Sequence, residues 1–237
     1  MGTFKDNGIV LRESKSGESD KMLTVLLKGK GKVSVYARGA RKLKSSFCVS
    51  CSLFCYSDFV LFQKSDFLSL TSADVINPYT KIQSDYDAFR CACFMAEMVD
   101  KIILREMDTE KILKLLALSL NALDKGIDPD IVRPAFAFRI MSYEGFIPVL
   151  DSCRSCKTAE ASYFSGEGLV CKDCACVCDV FISKGAIRAI DYIVNAETKR
   201  MFSFQLDGHV KRELLAACDL FVKQNLGIVF KSDSLEK

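Results

Sequence analysis

Apolar residues along the chain follow two periods, and the change from one to the other falls at Asn77-Pro78. Before that point the apolar stretches are short. Residues 8–13 carry Ile9, Val10 and Leu11, and residues 21–28 carry Met22, Leu23, Val25, Leu26 and Leu27. Residues 32–38 alternate Val33, Val35 and Ala37 with Lys32, Ser34 and Tyr36, the period of a half-buried strand. Gly29 and Gly31 mark a hairpin between the last two segments, because glycine takes up positive φ without a steric cost. Residues 53–62 and 67–75 complete five predicted strands. Five short strands separated by turns predict a small closed barrel or a sandwich.

Beyond Asn77-Pro78 the period becomes helical. In residues 84–106 the apolar positions Tyr86, Phe89, Ala92, Cys93, Ala96, Val99, Ile102 and Ile103 fall at spacings of three and four, one stripe of a helix, with Ser84 as the expected N-cap. A second helix is predicted over 109–124, with Ile112, Leu115, Leu116, Leu118 and Leu123 apolar and Gly126 as its stop. Asp128-Pro129 reads as an N-cap followed by proline at the first helical position. The third helix carries Val132, Phe136, Ile140 and Met141 and ends at Gly145, before Pro148; Pro134 inside it predicts a kink or a later start. Residues 184–196 and 210–226 predict two more helices. The chain thus reads as α+β, divided into residues 1–80, 81–150, a cysteine-rich unit at 151–178, and 179–237.

Composition narrows the chemistry. No run among the 237 residues approaches the eighteen or so apolar residues of a membrane-spanning helix. The opening MGTFKDNGIVL has no basic segment followed by a long apolar one, so a cytoplasmic, reducing compartment is expected. There is one histidine, so any Ser-His, Cys-His or His-metal site must use His209. Zinc hydrolases need two or three histidines, and a zinc deaminase needs an H-x-E triplet where this chain has His209-Val210-Lys211. His209 is expected to serve at the surface or as a cap. No glycine-rich phosphate loop of the GxxxxGK[ST] or GxGxxG kind is present.

Twelve cysteines in a chain with no expected export signal point to metal binding ahead of disulfides. Cys153-Arg154-Ser155-Cys156 and Cys171-Lys172-Asp173-Cys174 are two CxxC pairs separated by fourteen residues. Each pair forms a tight turn that aims two sulfurs at one point, and two such knuckles make a tetrahedral four-thiolate site with Zn–S distances of about 2.3 Å. A closed shell of that kind makes the one expected zinc structural. Its binding energy substitutes for a core that so short a unit cannot build. Cys176 and Cys178 compete with Cys171 and Cys174 for two positions; the latter are favoured because they mirror the first pair. A metal-free loop and an iron–sulfur cluster are the alternatives. Cys91, Cys93 and Cys218 read as small hydrophobes on helix faces. Cys48, Cys51 and Cys55 form a second cluster without a paired knuckle, so a second metal site there is the weaker reading.

The formal net charge is only +3, but its distribution is uneven. Residues 1–80 hold twelve Lys/Arg against seven Asp/Glu, and the remainder is slightly acidic. Lys28, Lys30, Lys32, Arg38, Arg41, Lys42 and Lys44 follow one another with no acid between them. A solvated strand face would account for the charge alone. Four cations packed around Gly39, next to a small barrel, point further, to a polyanion held by its phosphates. Tyr36, Phe54, Tyr56, Phe59 and Phe62 are candidates to stack on bases, although their alternation places most of them in the core.

The same residues carry a resemblance. Gly8-Ile9-Val10-Leu11, Gly17-Glu18-Ser19-Asp20, Gly31-Lys32, Ala37-Arg38-Gly39-Ala40-Arg41-Lys42, Lys44-Ser45, Gly145-Phe146-Ile147-Pro148, Cys153-x-x-Cys156, Gly168, Cys171-x-x-Cys174, Gly227 and Lys231-Ser232 occur in an order that resembles the bacterial RecO family of recombination mediators. The match spans nearly the whole chain. It departs at Lys157, where family members often carry glycine, and in the extra Cys176 and Cys178. The resemblance implies an N-terminal OB-fold β-barrel followed by an all-helical domain with an embedded zinc module. It implies binding of single- and double-stranded DNA, annealing of complementary strands, and a cytoplasmic, nucleoid-associated protein. The implied partners are RecR, the acidic tail of single-stranded-DNA-binding protein (SSB) and, indirectly, RecA.

On that reading no catalytic residue is expected. Arg38, Arg41, Lys42 and Lys44 would hold phosphates, with Lys30 and Lys32 secondary, leaving bases free to pair. Arg133 and Arg139 with Phe136 are the candidates for the partner tail, which needs a helical groove with a nearby cation. A zinc-ribbon transcription factor is the competing reading, but no basic recognition helix is apparent. A metalloenzyme is the third, opposed by the closed thiolate shell and the single histidine.

Overall fold

The computed structural model describes residues 2–103, 109–227 and 230. The chain divides into two compact units, Met1–Lys125 and Gly126–Lys237. The far end of the first predicted helix, near Glu106, and the Lys231-Ser232 pair lie outside the described residues.

The first unit contains β1 (Gly2–Ser16), β2 (Asp20–Leu27), β3 (Gly31–Ala37), β4 (Tyr56–Lys64) and β5 (Phe67–Asn77). The pairings run β1-β2-β3-β5-β4 and return to β1, forming a barrel. One long strand makes this ring possible. The first half of β1 pairs with β4, Gly2 opposite Gln63 and Ile9 opposite Tyr56; its second half pairs with β2, Gly8 opposite Leu27 and Ser16 opposite Asp20. A bulge between Val10 and Arg12 lets one strand serve both neighbours. β3 and β5 meet in parallel over only two pairs, Val35 with Leu68 and Tyr36 with Ser69. Inward positions Val10, Leu23, Val25, Val35, Phe59 and Leu61 fill the interior. All five expected strands are present, but β4 begins at Tyr56 and not at residue 53. Phe54 has φ 65°, a left-handed conformation that no strand residue adopts.

α1 (Tyr86–Ile102) and α2 (Thr109–Asp124) belong to the same unit. The cap of α1 is Asp85, whose carboxylate accepts from the Ala88 amide, and not Ser84. Its buried residues are Ala88, Cys91, Ala92, Phe94, Met95, Ala96, Met98, Val99 and Ile102. The inward face is therefore rotated from the expected stripe, with Tyr86 exposed. Polar ties fasten these helices to the rest of the unit: Thr109 Oγ1 to the Lys28 carbonyl in the β2–β3 turn (2.9 Å), the Lys81 amide in the segment after β5 to Asp124 (3.0 Å) and Lys32 of β3 to Asp100 (3.1 Å).

The second unit contains α3 (Pro129–Tyr143), β6 (Tyr163–Phe164), β7 (Leu169–Val170), β8 (Val180–Phe181), α4 (Lys184–Asn195) and α5 (Gly208–Leu226). Asp128 caps α3 by accepting from the Asp130 amide (2.9 Å), and Pro129 occupies the first helical position. The helix starts there, not later, and continues through Pro134 to Tyr143. It ends as its sequence predicts: Gly145 has φ 86°, and the Phe146 amide reaches back to the Met141 carbonyl at 3.0 Å. The cysteine-rich unit is not merely loop. Its β6 and β7 form a three-stranded sheet, β7-β6-β8, with Val180–Phe181 just beyond it, and these two-residue strands are too short to show a period. Phe164 of that sheet joins Phe138 of α3 and Phe221 of α5 in one aromatic cluster, with the last two stacked at 4.9 Å. His209 is exposed and pairs with Glu213 one turn on (3.2 Å).

Gly8 sits where β1 changes partners. A Cβ there would lie 2.7 Å from the Leu26 carbonyl and 2.9 Å from Val25 Cγ1. Gly8→Ala is expected to lower the unfolding free energy by about 1–3 kcal/mol, seen as an earlier midpoint in urea titration.

Candidate functional site

Two sites emerge, one in each unit. The loop after β3 begins with Arg38 and is built around the carboxylate of Asp20. That carboxylate accepts from the Tyr36 hydroxyl, from the Gly39 amide at 2.7 Å and from the Ser19 hydroxyl at 2.9 Å. It thereby fastens the β1–β2 turn, β3 and the loop at one point. Gly39 has φ 70°, which turns the chain so that its amide faces Asp20. These donors, the Tyr36 hydroxyl foremost, hold the Asp20 carboxyl below the usual carboxylate range. Arg41 completes the fastening: its amide donates to the Ser19 carbonyl (2.9 Å), and its Nη1 donates to the carbonyls of Gly17 and Glu18 (3.2 and 2.9 Å).

Held in this way, the loop presents Arg38, Arg41, Lys42 and Lys44 to solvent, with Leu43 fully exposed among them. The rest of the cationic run lies elsewhere. Lys28, Lys30 and Lys32 sit at the β2–β3 turn, at the other end of β3, about 20 Å away at 3.3 Å per residue. Lys32 pairs with Asp100 (3.1 Å) and Lys28 with Glu110 (3.4 Å). Lys30 lies over the Phe4 ring, 4.4 Å from its centroid, and donates to Gln63. The seven cations are therefore two groups and not one.

Of the aromatic candidates, Phe54 and Phe59 are buried, while Tyr36, Tyr56 and Phe62 are partly covered. The exposed ring is one that the alternation of apolar positions does not single out. Phe67 is 51% accessible and pairs with Tyr36, ring centroids 5.9 Å apart. Its only sequence signal is its place as the first residue after the Ser65-Asp66 turn. Asp20 stands in one of the motifs of the resemblance, but its role was not legible, because two of its three partners lie sixteen and nineteen residues away.

The second site is the thiol cluster. Sγ atoms of Cys153, Cys156, Cys171 and Cys174 all lie within 4.8 Å of one another, an arrangement that could hold a metal ion. Each knuckle is closed by backbone hydrogen bonds: Lys157 N to the Cys153 carbonyl (2.8 Å), and Ala175 N to the Cys171 carbonyl (3.0 Å). Lys157 has φ 64°, so this is a position that suits glycine and that a lysine occupies with some strain. The Arg154 amide donates to the Leu169 carbonyl at 2.8 Å and joins the first knuckle to the strand that leads into the second. Gly168 permits a second close approach, to the segment before the first knuckle, since a Cβ there would lie 2.6 Å from the Val149 carbonyl. Backbone N–H groups, that of Cys156 first, pull the Cys153 thiol down to about 6. Its thiol neighbours, Cys171 first, push Cys174 up to about 12. A shared cation removes that conflict by stabilising all four thiolates together. Cys176 and Cys178 are exposed and stand outside the group, beside Asp179. Cys48, Cys51 and Cys55 form no such group among the described residues; burial pushes the Cys51 thiol up to about 11.

The trio expected to receive a partner tail takes a different place. Phe136 is fully buried. Arg139 is 6% accessible, and its Nη2 donates to the Ala196 carbonyl at 2.5 Å. Arg133 pairs with Asp219 (2.9 Å). Phe136 and Arg139 are interior residues of α3, so the surface groove expected around them is not formed by these side chains. From Ile131 to Met141 α3 is buried on nearly every side, Arg133 excepted, so Phe136 has no exposed face to offer.

The fold and the two sites define a mixed α+β protein with a sheet-rich N-terminal region and a four-cysteine cluster, and no described helix is long and apolar enough to cross a membrane. Comparison with known proteins makes this specific. Residues 1–79 match the family model for the N terminus of recombination protein O, and residues 83–234 the model for its C terminus. The chain is 34% identical over 233 residues to the DNA repair protein RecO of Acetivibrio thermocellus, covering 95% of this chain and 93% of that one. It is 31% identical over 232 residues to that of Caldicellulosiruptor bescii (95% and 94%), and 30% identical over 240 residues to that of Thermoanaerobacter sp. (98% and 96%). The chain belongs to the RecO family, and this membership supports a role in recombinational DNA repair.

Two outcomes are expected. Cys171→Ser should abolish bound metal, measured by elemental analysis of the purified protein, whereas Cys178→Ser should leave it at one ion per chain. The contribution of the lowered Asp20 carboxyl is present above the ordinary carboxylate pKa and is lost as pH falls through its depressed folded value. Asp20→Ala should therefore speed tryptic cleavage within residues 38–44 at pH 7. In the wild-type protein the Gly39 amide resonance should move only in acid, below the ordinary carboxylate pKa of about 4.

Proposed function

We propose that the protein is a DNA-binding recombination mediator that works without covalent catalysis. The observation that carries this reading is the cationic loop fastened open by Asp20 and Arg41. Phosphates are bound best by cations held in place and exposed, and Arg38, Lys42 and Lys44 meet that condition on this loop. Arg41 serves mainly as a positioning residue. Lys30 is a secondary contact, and Lys32 a weaker one because Asp100 offsets its charge. The strand order β1-β2-β3-β5-β4 with β4 returned to β1 supports reading the barrel as an OB-fold, a scaffold suited to nucleic acid strands.

A surface that grips phosphates leaves base edges free, and its positive charge weakens repulsion between two strands. Annealing of complementary strands follows from those two properties. In this reading RecR and the SSB tail bring the protein to coated DNA, and RecA is loaded as a consequence, in the bacterial cytoplasm. The metal at the four thiols is a zinc ion with a structural role, since four sulfurs leave no position for a substrate.

The test is fluorescence-monitored annealing of SSB-coated complementary strands across a salt series. Wild-type protein should accelerate annealing, and Lys42→Glu/Lys44→Glu should remove the acceleration. The same double variant should flatten the log–log salt dependence of single-strand binding by about 1.4, at 0.7 per phosphate contact. Unchanged affinity and slope would sink the assignment.

A further inference from the structure

Six cysteines lie within residues 153–178, and the thiol cluster uses four of them. The other two, Cys176 and Cys178, are exposed, with a fully exposed Val177 between them. They share one tight turn. The Asp179 amide donates to the Cys176 carbonyl at 3.0 Å, and the Cys176 amide donates to Asp179 Oδ2 at 2.7 Å. The Cys178 thiol lies 3.9 Å from Asp179 Oδ1. Among the described residues, Cys176 and Cys178 thus bond to Asp179 alone. The last residue tied to the second knuckle is Ala175, through the Cys171 carbonyl, and sheet pairing resumes at Val180, opposite Phe164. The turn is therefore closed on itself, and displacing it breaks none of the bonds that shape the knuckles or the sheet. The cluster beside it is deep on one side only. Cys153 and Cys171 are buried, Cys174 is partly buried and Cys156 is exposed. Cys174 precedes Cys176 by two residues, at most about 7 Å of chain.

We infer that Cys176 and Cys178 are a relay for zinc, two thiols through which the metal enters and leaves the closed site. The inference rests on the four thiols being a zinc site, and adds how so closed a site exchanges its ion. Four thiolates leave no free position, so an outside acceptor must wait for a protein ligand to let go. A tethered thiol shortens that wait, because it is present at high effective concentration. Cys176 forms its bond to the metal as the Cys174 bond breaks. The entering thiol releases a proton and the departing thiolate takes one up, so charge and protons balance. Cys178, on the same turn, is next in line for a second exchange of this kind. Each exchange moves the ion outward, to where a small soluble thiol or chelator that carries zinc can take it or supply it. Two other roles for the pair fit less well. Cysteines that act as hydrophobes are buried, as Cys91 and Cys218 are, and ligands of the resting site would stand inside the cluster.

The test follows zinc transfer from full-length, zinc-loaded protein to the colour-forming chelator pyridylazoresorcinol, under nitrogen with a phosphine reductant so that no disulfide forms. Wild-type protein and Cys176→Ser/Cys178→Ser should both start at one zinc per chain and unfold at the same urea midpoint. With chelator at about 0.1 mM, against an effective concentration on the order of 1 mM for the tethered thiols, the double variant should release zinc about tenfold more slowly. Cys48→Ser, which removes an exposed thiol from the other unit, should match wild type. Equal rates in wild type and double variant, or faster release from the variant, overturn the relay and leave the four-thiolate site standing. A double variant that starts below one zinc per chain makes the pair resting ligands and also overturns the relay. Wild-type protein that carries no zinc overturns the four-thiolate reading, and the relay with it.

Discussion

A single carboxylate organises the cationic end of the barrel. Asp20 lies at the start of β2 and draws donors from the turn before it, from β3 and from the loop after β3. An acid at the base of a cationic loop looks at first like a loss of positive potential. Its oxygens, however, are occupied by two hydroxyls and an amide, so its charge is taken up by local donors while the cations project outward. A floppy loop of the same composition would need to be ordered at each encounter, at a cost of roughly 1–2 kcal/mol per residue fixed. Here that ordering accompanies folding. The carboxylate also sets the Tyr36 ring, so the electrostatic and the aromatic parts of the surface share one anchor.

The second unit solves a different problem. Residues 151–178 contain few large apolar side chains, and strands of two residues cannot hold a sheet together. Two devices compensate. One is the four-thiol cluster, in which backbone bonds preset each knuckle before a cation joins them. The other is Phe164, which packs from the small sheet against the stacked pair of Phe138 and Phe221 and ties the module to α3 and α5. Phe136, two residues from Phe138, points to another side of α3 and is buried all the same, because the helix is covered from Ile131 to Met141 except at Arg133.

Much of this was legible in the chain. Five strands could be read because short apolar stretches, one of them strictly alternating over residues 32–38, are separated by turn residues and match no helical spacing. The caps at Asp128 and Gly145 could be read because proline and glycine have narrow conformational roles. The paired CxxC spacing picked out, among six nearby cysteines, the four whose sulfurs converge. The differences have physical causes. The inward face of α1 is rotated because cysteine and methionine, which fill it at Cys91, Met95 and Met98, sit on the helix beside an equally apolar stripe. Residues 53–55 look like strand, and only the left-handed backbone of Phe54 turns them away from it. Strands as short as β6, β7 and β8 carry no period at all.

By itself the sequence determined what depends on near neighbours: strand or helix, where each begins and ends, and which sulfurs can converge from adjacent turns. Tertiary structure alone decided which charges are available. Lys32 and Asp100 are 68 positions apart, and Arg41 finds its carbonyls 23 and 24 positions back. Charge and hydrogen bonding act over a few ångströms of space, whatever the distance along the chain. Seven cations that look equivalent in order of sequence therefore become, once the barrel forms, a fastened loop, a second cluster partly offset by acids, and an aromatic face between them.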